Sequence, residues 1–559
     1  MSMDVHDRGS HKPARWRIWL PFLFSLVLVV GILLGMRMDA LLPAMVVEAG
    51  SQAPVSLKDQ SKIEELLRYI EAKYVDEVNR EELIDEAIES VLDQLDPHSN
   101  YIPADELQSI NEQLDGKFDG IGVEFMILED TVVVVAPLHG GPSEEAGILA
   151  GDRIVQVEDS TIAGVGITNR GVIELLRGDK GTEVRIGIVR GQEDKLRFFT
   201  IVRDKIPIHS VDVAYMLDEE TGYIKLNRFS ATTYEEFMQS LERMVEQEGM
   251  KNLVIDLRHN PGGFLQQATR ILGQLFSERG QLLVYTEGRS VHRNEYKSNG
   301  RSFFPLDQIT VLIDEGSASA SEILAGAVQD HDRGLIVGRR SFGKGLVQEQ
   351  YTLRDGSALR LTVARYYTPS GRSIQKPYTD PEAYEHDLQE RLESGELSSA
   401  NLVPIDDSTR YYTDEGRIVY GGGGIKPDIY VELDTSLLAE SYYPLRQLIP
   451  AFVFRYADDP ERKYPWEAYS LSGFLKQYQP SDELFNAFLA FAQTREGLAV
   501  PPGELASYRE ELLLHLKARL GRHAFGEEGY FAVLHQKDPF VQEALKAIRH
   551  PKPISQYGD

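Results

Sequence analysis

Ile309-Thr-Val-Leu-Ile313 runs directly into Asp314-Glu-Gly-Ser-Ala-Ser-Ala-Ser-Glu322, and that turn runs into Ile323-Leu-Ala-Gly-Ala-Val328. The first five residues form a short unbroken apolar run, the pattern of a strand buried on both faces. The last six continue as a small, apolar helix, so a strand, a turn of small residues and a helix follow one another without a spacer. This junction predicts an α/β core and gives one of the turn's serines a special place. Amides at a helix start have no partner inside the helix, and the helix dipole favours negative charge there, so a serine at this point stands beside groups that can hold an oxyanion. Position alone does not choose among Ser317, Ser319 and Ser321. Serine is also an ordinary N-cap, a reading that suits Ser321 followed by Glu322.

Working outward, Asn252–Leu257 and Leu335–Val337 repeat the buried-strand pattern between helical stretches, which makes residues 206–435 a mixed α/β unit of catalytic size. Gly338-Arg-Arg-Ser-Phe-Gly-Lys-Gly345 fits the first seven positions of a phosphate-binding Walker loop. It lacks the Ser or Thr that must follow the lysine, and it leads into the strand-like Leu346–Tyr351 rather than a helix, so nucleotide binding is set aside. The Glu/Arg-rich run from Glu382 to Glu396 reads as a solvated helix or insertion.

Residues 116–204 change to short β runs, Val132–Val135 and Ile154–Val157, broken by glycine turns and one helical stretch, Asn169–Leu176. Gly-Pro-Ser-Glu-Glu-Ala-Gly-Ile-Leu-Ala-Gly-Asp-Arg-Ile-Val-Gln-Val, residues 141–157, resembles the signature of a PDZ domain. Upstream, Gly120-Ile121-Gly122-Val123 matches the loop with which such domains hold a peptide's terminal carboxylate. Closely spaced amides in a glycine-containing loop form an anion nest, and the strand edge beside it accepts an extended peptide.

Helical spacing recurs at Ile63, Leu66, Leu67 and Ile70, and again at Leu83, Ile84, Ala87, Ile88 and Leu92, so residues 57–115 read as an N-terminal helical domain. Asp96-Pro97-His98-Ser99 breaks it, with His98 read as structural. Residues 436–559 read as a helical C-terminal extension anchored by Trp466, Phe474, Phe485, Phe488 and Phe491. No chemical motif is visible in it, which leaves core or assembly as its role.

The 559 residues suggest three or four domains. With 87 acidic against 59 basic residues the formal charge is −28, which opposes nucleic-acid phosphates. The absence of cysteine excludes disulfides, thiolate zinc sites and cysteine nucleophiles. Ile18–Met36 is uncharged and long enough, at about 29 Å as a helix, to span a bilayer. Arg8, Lys12, Arg15 and Arg17 precede it, so residues 1–17 are expected as a cytoplasmic basic tail and 18–36 as a single-pass inner-membrane anchor, with the rest periplasmic or extracytoplasmic. Trp16 and Trp19 suit the interface. The alternative is a cleaved signal peptide, whose apolar region is normally shorter.

Together, residues 57–435 resemble the carboxyl-terminal processing peptidases, or tail-specific proteases, a family of serine-lysine proteases with an inserted PDZ domain. Gly316-Ser-Ala-Ser-Ala-Ser-Glu-Ile323 resembles the nucleophile motif and selects Ser319. Phe342-Gly-Lys-Gly-Leu-Val-Gln348 supplies Lys344, 25 positions on, and its companion Gln348. Leu253-Val-Ile-Asp-Leu-Arg-His-Asn-Pro-Gly-Gly263 resembles the oxyanion-hole segment, implying backbone amides from Gly262 or Gly263 and from Ala320. Gly421–Gly424 with Pro427-Asp428 resembles the domain end. The resemblance implies a multidomain α+β chain with transmembrane helix, helical arm, PDZ-like module, mixed α/β protease core and helical extension. It further implies an endopeptidase that cleaves protein or peptide substrates near a free C-terminus, docks their tails on Gly120–Val123, and needs no cofactor. Arg177 is implied to couple docking to the active site. A homo-oligomer or adaptor is left open.

The chemistry agrees with that assignment. A serine must lose its proton to attack, and lysine is a base near neutrality only when burial lowers its pKa from about 10.4. Gln348, four residues on, lies on the same side of strand or helix and, being neutral, orients the amine without stabilising its charged form. The rivals are a Ser-His-Asp hydrolase using His331 with Asp330 or Asp332, or His259, and a catalytically inactive PDZ scaffold. His331 is expected at an exposed helix end. No His-Glu-x-x-His is present for a zinc protease.

Overall fold

A computed structural model of the chain describes residues 57–191, 195–404, 409–457 and 468–557. The expected anchor at 18–36 and Trp466 lie outside them. Among the described residues no helix is long and apolar enough to cross a membrane. The chain divides between Leu83 and Ile84 into a small N-terminal unit and a large one. In the small unit Arg80 donates to Glu64 and Glu71 at 3.0 and 3.1 Å, bracing the helix Leu57–Lys73.

One stretch of residues 57–115 is not helical as expected. Arg80–Leu92 and Ala104–Asp115 are helices, but Asn100–Ile102 between them is a strand, antiparallel to Ala358–Tyr367. The turn before it explains why. The Asp96 carboxylate accepts from the His98 and Ser99 N–H groups at 2.9 and 3.0 Å, from the Ser99 hydroxyl at 2.7 Å, and from Thr362 of the partner strand at 3.0 Å.

The PDZ module has a six-stranded sheet around the buried Ile121, Val134, Ile154, Val172 and Ile186. Helix α1 (Asn169–Leu176) is capped by the Thr168 hydroxyl. Among the described residues Val123–Leu128 pairs on one side only, with Thr131–Pro137. Lys117–Gly120 pairs with Asp204–Pro207, so the module enters and leaves through one two-stranded ribbon.

The protease core is built on six strands: β1 (Val211–Met216), β2 (Thr221–Leu226), β3 (Asn252–Asp256), β4 (Ile309–Ile313), β5 (Leu335–Gly338) and β6 (Ile429–Tyr430). They lie side by side in that order, β1 antiparallel and the rest parallel. Right-handed crossovers that always advance in one direction put their helices on one face. Thr233–Glu248, Leu265–Leu275 and α2 (Ala320–Asp330) cover that face, packing on Ile255, Val311, Ile313 and Ile336. Alternate residues, Tyr223, Val254, Leu312 and Val337, point the other way. Parallel sheets are buried on both faces, and here the second cover is the end of the chain. Helix α3 (Pro539–Arg549) lays Phe540, Val541, Ala544, Leu545 and Ile548 on it.

The C-terminal extension is helical, as expected, with Phe474, Phe485 and Phe488 in its own core and Phe491 at the edge. The run Glu382–Glu396 departs from the solvated helix expected of it. It folds as two short helices, Pro381–Glu385 and Asp387–Glu393, that bury Tyr384 and Arg391. Arg391 and Arg340 share the buried carboxylate of Glu396, which offsets the cost of burying three charges.

Candidate active site

The strand-to-helix junction places Ser319 at the N-cap of α2 with φ 53° and ψ −112°, a left-handed conformation that costs a serine of order 1–3 kcal/mol. Bonds around it hold that strain. Ala318 N–H donates to the Asn260 carbonyl at 3.0 Å, and Phe342 N–H donates to the Ser317 carbonyl at 3.0 Å. The neighbouring serines are spoken for. Ser317 is buried and donates to the Leu257 carbonyl at 2.8 Å, and Ser321 is buried and donates to the Asn260 carbonyl at 2.9 Å. Ser319 alone of the three is partly exposed. The cap therefore falls at Ser319 rather than at Ser321, which lies inside the helix.

Lys344 stands in the loop before Leu346–Thr352. Its connection to Ser319 runs through Glu322. That carboxylate is buried and accepts from four groups: Ser319 N–H at 2.8 Å and Lys344 N–H at 2.9 Å on one oxygen, Gly343 N–H at 2.7 Å and the Ser341 hydroxyl at 2.5 Å on the other. Burial pushes it up to about 7, and these bonds hold it back from rising further. On the other side the Tyr366 hydroxyl lies 3.1 Å from the Ser319 carbonyl and 2.7 Å from that of Lys344. A carboxylate and a phenol thus tie the two segments at both ends of their peptide units.

The Lys344 amine donates to Gln348 Oε1 at 3.0 Å. Burial, with the Arg360 charge nearby, lowers its pKa, while Asp96 and Glu322 oppose that shift. The orientation of Gln348 follows from its other end, which donates to the His98 carbonyl. A carbonyl can only accept, so the amide nitrogen faces His98 and the amide oxygen faces the lysine. The His98 ring meets the Tyr384 hydroxyl at 2.6 Å and lies edge-on to Phe342. Burial and the Lys344 charge lower His98 to about 4, so near neutrality it adds no charge beside the lysine.

Beyond β3, the segment 258–263 curls under Ser319. A β-carbon at Gly262 would lie 2.8 Å from both Ser319 Cβ and the Ala320 nitrogen, and one at Gly263 would lie 2.2 Å from the Phe229 carbonyl, so both positions require glycine. Gly262 N–H donates to Asn260 Oδ1 at 2.9 Å. The bridge to Phe229 uses the Gly262 carbonyl and the Phe264 N–H, leaving the Gly263 N–H outside it. Ala320 N–H opens α2 and has no acceptor within the helix. Gly263 and Ala320 are therefore the better placed pair of amides.

The histidine rivals lie elsewhere. His331 caps the far end of α2, about 16 Å of helix away. It is not exposed as expected: its side chain is 10% accessible, bonded to the Leu282 carbonyl and Asp414. The helix ends against another strand, which buries the ring. His259 pairs with Asp314 at 3.0 Å and bonds none of the serines. In the PDZ module the carbonyls of Ile121 and Gly122 are taken by Ser143 and Leu138 at 3.0 Å each, and Gly120 and Val123 flank them next to the open strand edge. Arg177 reaches none of the protease residues. It donates to Glu112 at 2.8 Å and lies over the Phe118 ring.

Residues 220–384 match Peptidase family S41 and residues 120–197 match the PDZ domain. Residues 39–106 match the activating protease CtpB N-terminal domain, and residues 445–526 match a family of unknown function. A carboxy-terminal-processing protease of Bartonella bacilliformis is 36% identical over 324 residues, 57% of this chain and 73% of the relative. Carboxy-terminal processing protease CtpB of Bacillus subtilis is 36% identical over 329 residues, 58% of this chain and 67% of the relative. Among solved structures, the photosystem II D1 C-terminal processing protease is 30% identical, covering 57% of this chain and 90% of that one with a TM-score of 0.33. Fold and relatives together define a serine-type protease that carries a PDZ module. The chain belongs to peptidase family S41, among the carboxy-terminal processing proteases.

Asp96, His98, Glu322 and Tyr366 were not assigned to the site from the sequence. A glutamate three residues after Ser319 is a capping-box signature that could have pointed to Glu322. His98 and Tyr366 carried no local signal. If the four-donor seat of Glu322 holds the site together, Glu322→Gln replaces one acceptor oxygen by a donor among donors. Turnover should then fall by about two orders of magnitude or more while circular dichroism shows a folded chain. Unchanged turnover would remove Glu322 from the site.

Proposed function

We propose that Ser319 is the nucleophile and Lys344 the general base of an endopeptidase that cuts substrates near their C-termini. The observation that carries this reading is the shared Glu322 oxygen, which binds both residues' backbone N–H groups and so keeps a partly exposed serine beside a desolvated lysine. In the first half-reaction Ser319 Oγ bonds to the scissile carbonyl carbon and its proton passes to the neutral Lys344 Nζ. The negative oxygen is met by the N–H groups of Gly263 and Ala320. Collapse breaks the C–N bond as Lys344 returns the proton to the leaving amine. In the second, water gives a proton to Lys344 and attacks the acyl carbon, and Ser319 leaves reprotonated by Lys344. Gln348 accepts from the amine in both its protonation states and carries no charge, so it steers Nζ while favouring the charged form far less than a carboxylate would.

The PDZ module is proposed to dock the substrate tail, its carboxylate on Gly120–Val123 and its backbone along the free edge of Val123–Leu128. Arg177 bridges the module to helix Ala104–Asp115 through Glu112, a contact that docking can load or release. Residues 18–36 are proposed to anchor the chain in the inner membrane with the protease outside the cytoplasm, on the strength of their length, apolarity and preceding basic residues. That site implies a neighbourhood of exported or unfolded protein substrates.

Three tests follow. Ser319→Ala should lower kcat about a millionfold and Lys344→Arg should be similarly inactive, because a guanidinium stays protonated. Activity should rise with pH along a limb whose midpoint lies below the ordinary lysine range and which survives in His259→Ala and His331→Ala. Loss of turnover in a folded histidine variant, with Lys344→Ala active, would overturn the base assignment. Amidating a peptide substrate's C-terminus and making Arg177→Ala should each slow cleavage, and if both leave the rate unchanged, docking through the tail coupled by Arg177 is refuted. A phosphatase reporter fused after residue 60 should be active outside the cytoplasm and sediment with membranes. An inactive or freely soluble reporter would refute the anchor.

A further inference from the structure

Three loops make the site, and all three rest on one turn of the helix α3. The oxyanion segment begins at Arg258, which follows β3. Its guanidinium takes both oxygens of Asp256 at 2.6 to 3.0 Å from one side, and Asp538 at 2.8 Å from the other. Both partners are largely buried, with side chains 15% and 14% accessible. The nucleophile loop is reached through Glu315, four residues before Ser319, which accepts from Arg339 at 2.8 and 3.1 Å. Arg339 opens the segment that carries Lys344. Between the two arginines lies the Phe540 ring, 4.6 Å from the Arg258 guanidinium carbon and 5.0 Å from that of Arg339. The same ring packs on the backbone of Gly338, where a β-carbon would stand 2.8 Å from it.

Asp538 and Phe540 belong to one structure, the start of α3. Asp538 caps that helix by accepting from Phe540 N–H at 2.9 Å through one oxygen and gives the other to Arg258. Cap, charge and ring are therefore set together. The segment just before is also tied to the sheet: His535 meets the Tyr215 hydroxyl at 2.6 Å, and Tyr223, edge-on to His535, donates to Asp256 at 2.6 Å. A buried guanidinium between two carboxylates depends strongly on both, since losing one leaves charge uncompensated. The residues that follow Arg258 turn through left-handed conformations at His259, Gly262 and Gly263, with φ of 59°, 97° and 139°, and have no helix or strand of their own to hold them.

We infer that Asp538 and Phe540 are positioning residues for peptide hydrolysis: the N-terminal turn of α3 is the seat that keeps the oxyanion, nucleophile and lysine loops in register. Activity then depends on the docked C-terminal helix, although it lies far beyond the residues that do the chemistry. This rests on the assignment of Ser319 and of the Gly263 and Ala320 amides.

The test uses the full chain. Asp538→Asn keeps a good N-cap and removes the charge that Arg258 needs. Phe540→Leu keeps an apolar cover and removes the face between the arginines. Each should lower kcat on a peptide substrate by about 10- to 100-fold with KM within about twofold. Each should slow fluorophosphonate labelling of Ser319 to the same degree at temperatures well below the melting transition, and Asp538→Glu should recover part of the loss. If kcat and labelling are unchanged, or fall only in step with the unfolded fraction, α3 is a cover for the sheet and nothing more. Failure of the unsubstituted chain to label at Ser319 would instead refute the nucleophile assignment.

Discussion

A single buried carboxylate organises this protease. Glu322 has two oxygens and four donors, and the donors come from the two segments that must meet, the nucleophile turn and the lysine loop. Removing an ionisable group from water is expensive unless its hydrogen-bonding capacity is filled. Here it is filled by three backbone N–H groups and the Ser341 hydroxyl, whose positions define the site. The left-handed Ser319 and the approach of Lys344 both presuppose it.

The lysine depends on a second constraint, that nothing beside it favours its charge too strongly. Its nearest polar partner is an amide, the adjacent histidine is held neutral by burial, and the orienting contact for the amide is a main-chain carbonyl. That carbonyl comes from the Asp96–Ser99 turn, which is locked through Thr362 to the strand Ala358–Tyr367, outside the six-stranded sheet. The turn before the PDZ module therefore touches the candidate site through Gln348, and the module is inserted between that turn and the rest of the core. A displacement of the arm–PDZ connection has a direct physical route to Gln348.

The extension after the core has two parts with different physics. Its middle helices form a separate aromatic core around Phe474, Phe488 and Tyr508. Its ion pairs reach the PDZ strand edge, where Arg522 binds Glu124 through two nitrogens at 2.9 and 3.0 Å. Its end instead completes the protease sheet. A parallel sheet with all its crossover helices on one face leaves an apolar face open, and this chain closes it with α3.

Much of this was legible without coordinates. The strand-turn-helix junction at 309–328 and the PDZ strands and α1 follow from local spacing, while the pairing of Ser319 with Lys344 and Gln348 comes from the resemblance of their motifs to those of the family. A buried strand, a glycine turn and a helix start are set by neighbours in sequence. What the sequence could not decide involved partners far apart. The choice of Ser319 over Ser317 and Ser321 became physical once Leu257 and Asn260 were seen to take the other two hydroxyls. Gly262 and Gly263 were equivalent until Asn260 bonded one of them. His98 and Tyr366 looked structural or were unremarked because their partners lie 250 and 47 residues away. His331 looked exposed because its own helix is polar there, but burial is set by the strand it meets. Which segment covers the sheet's second face was invisible for the same reason: amphipathic spacing states that a helix has an apolar face, and only the folded chain states what that face covers.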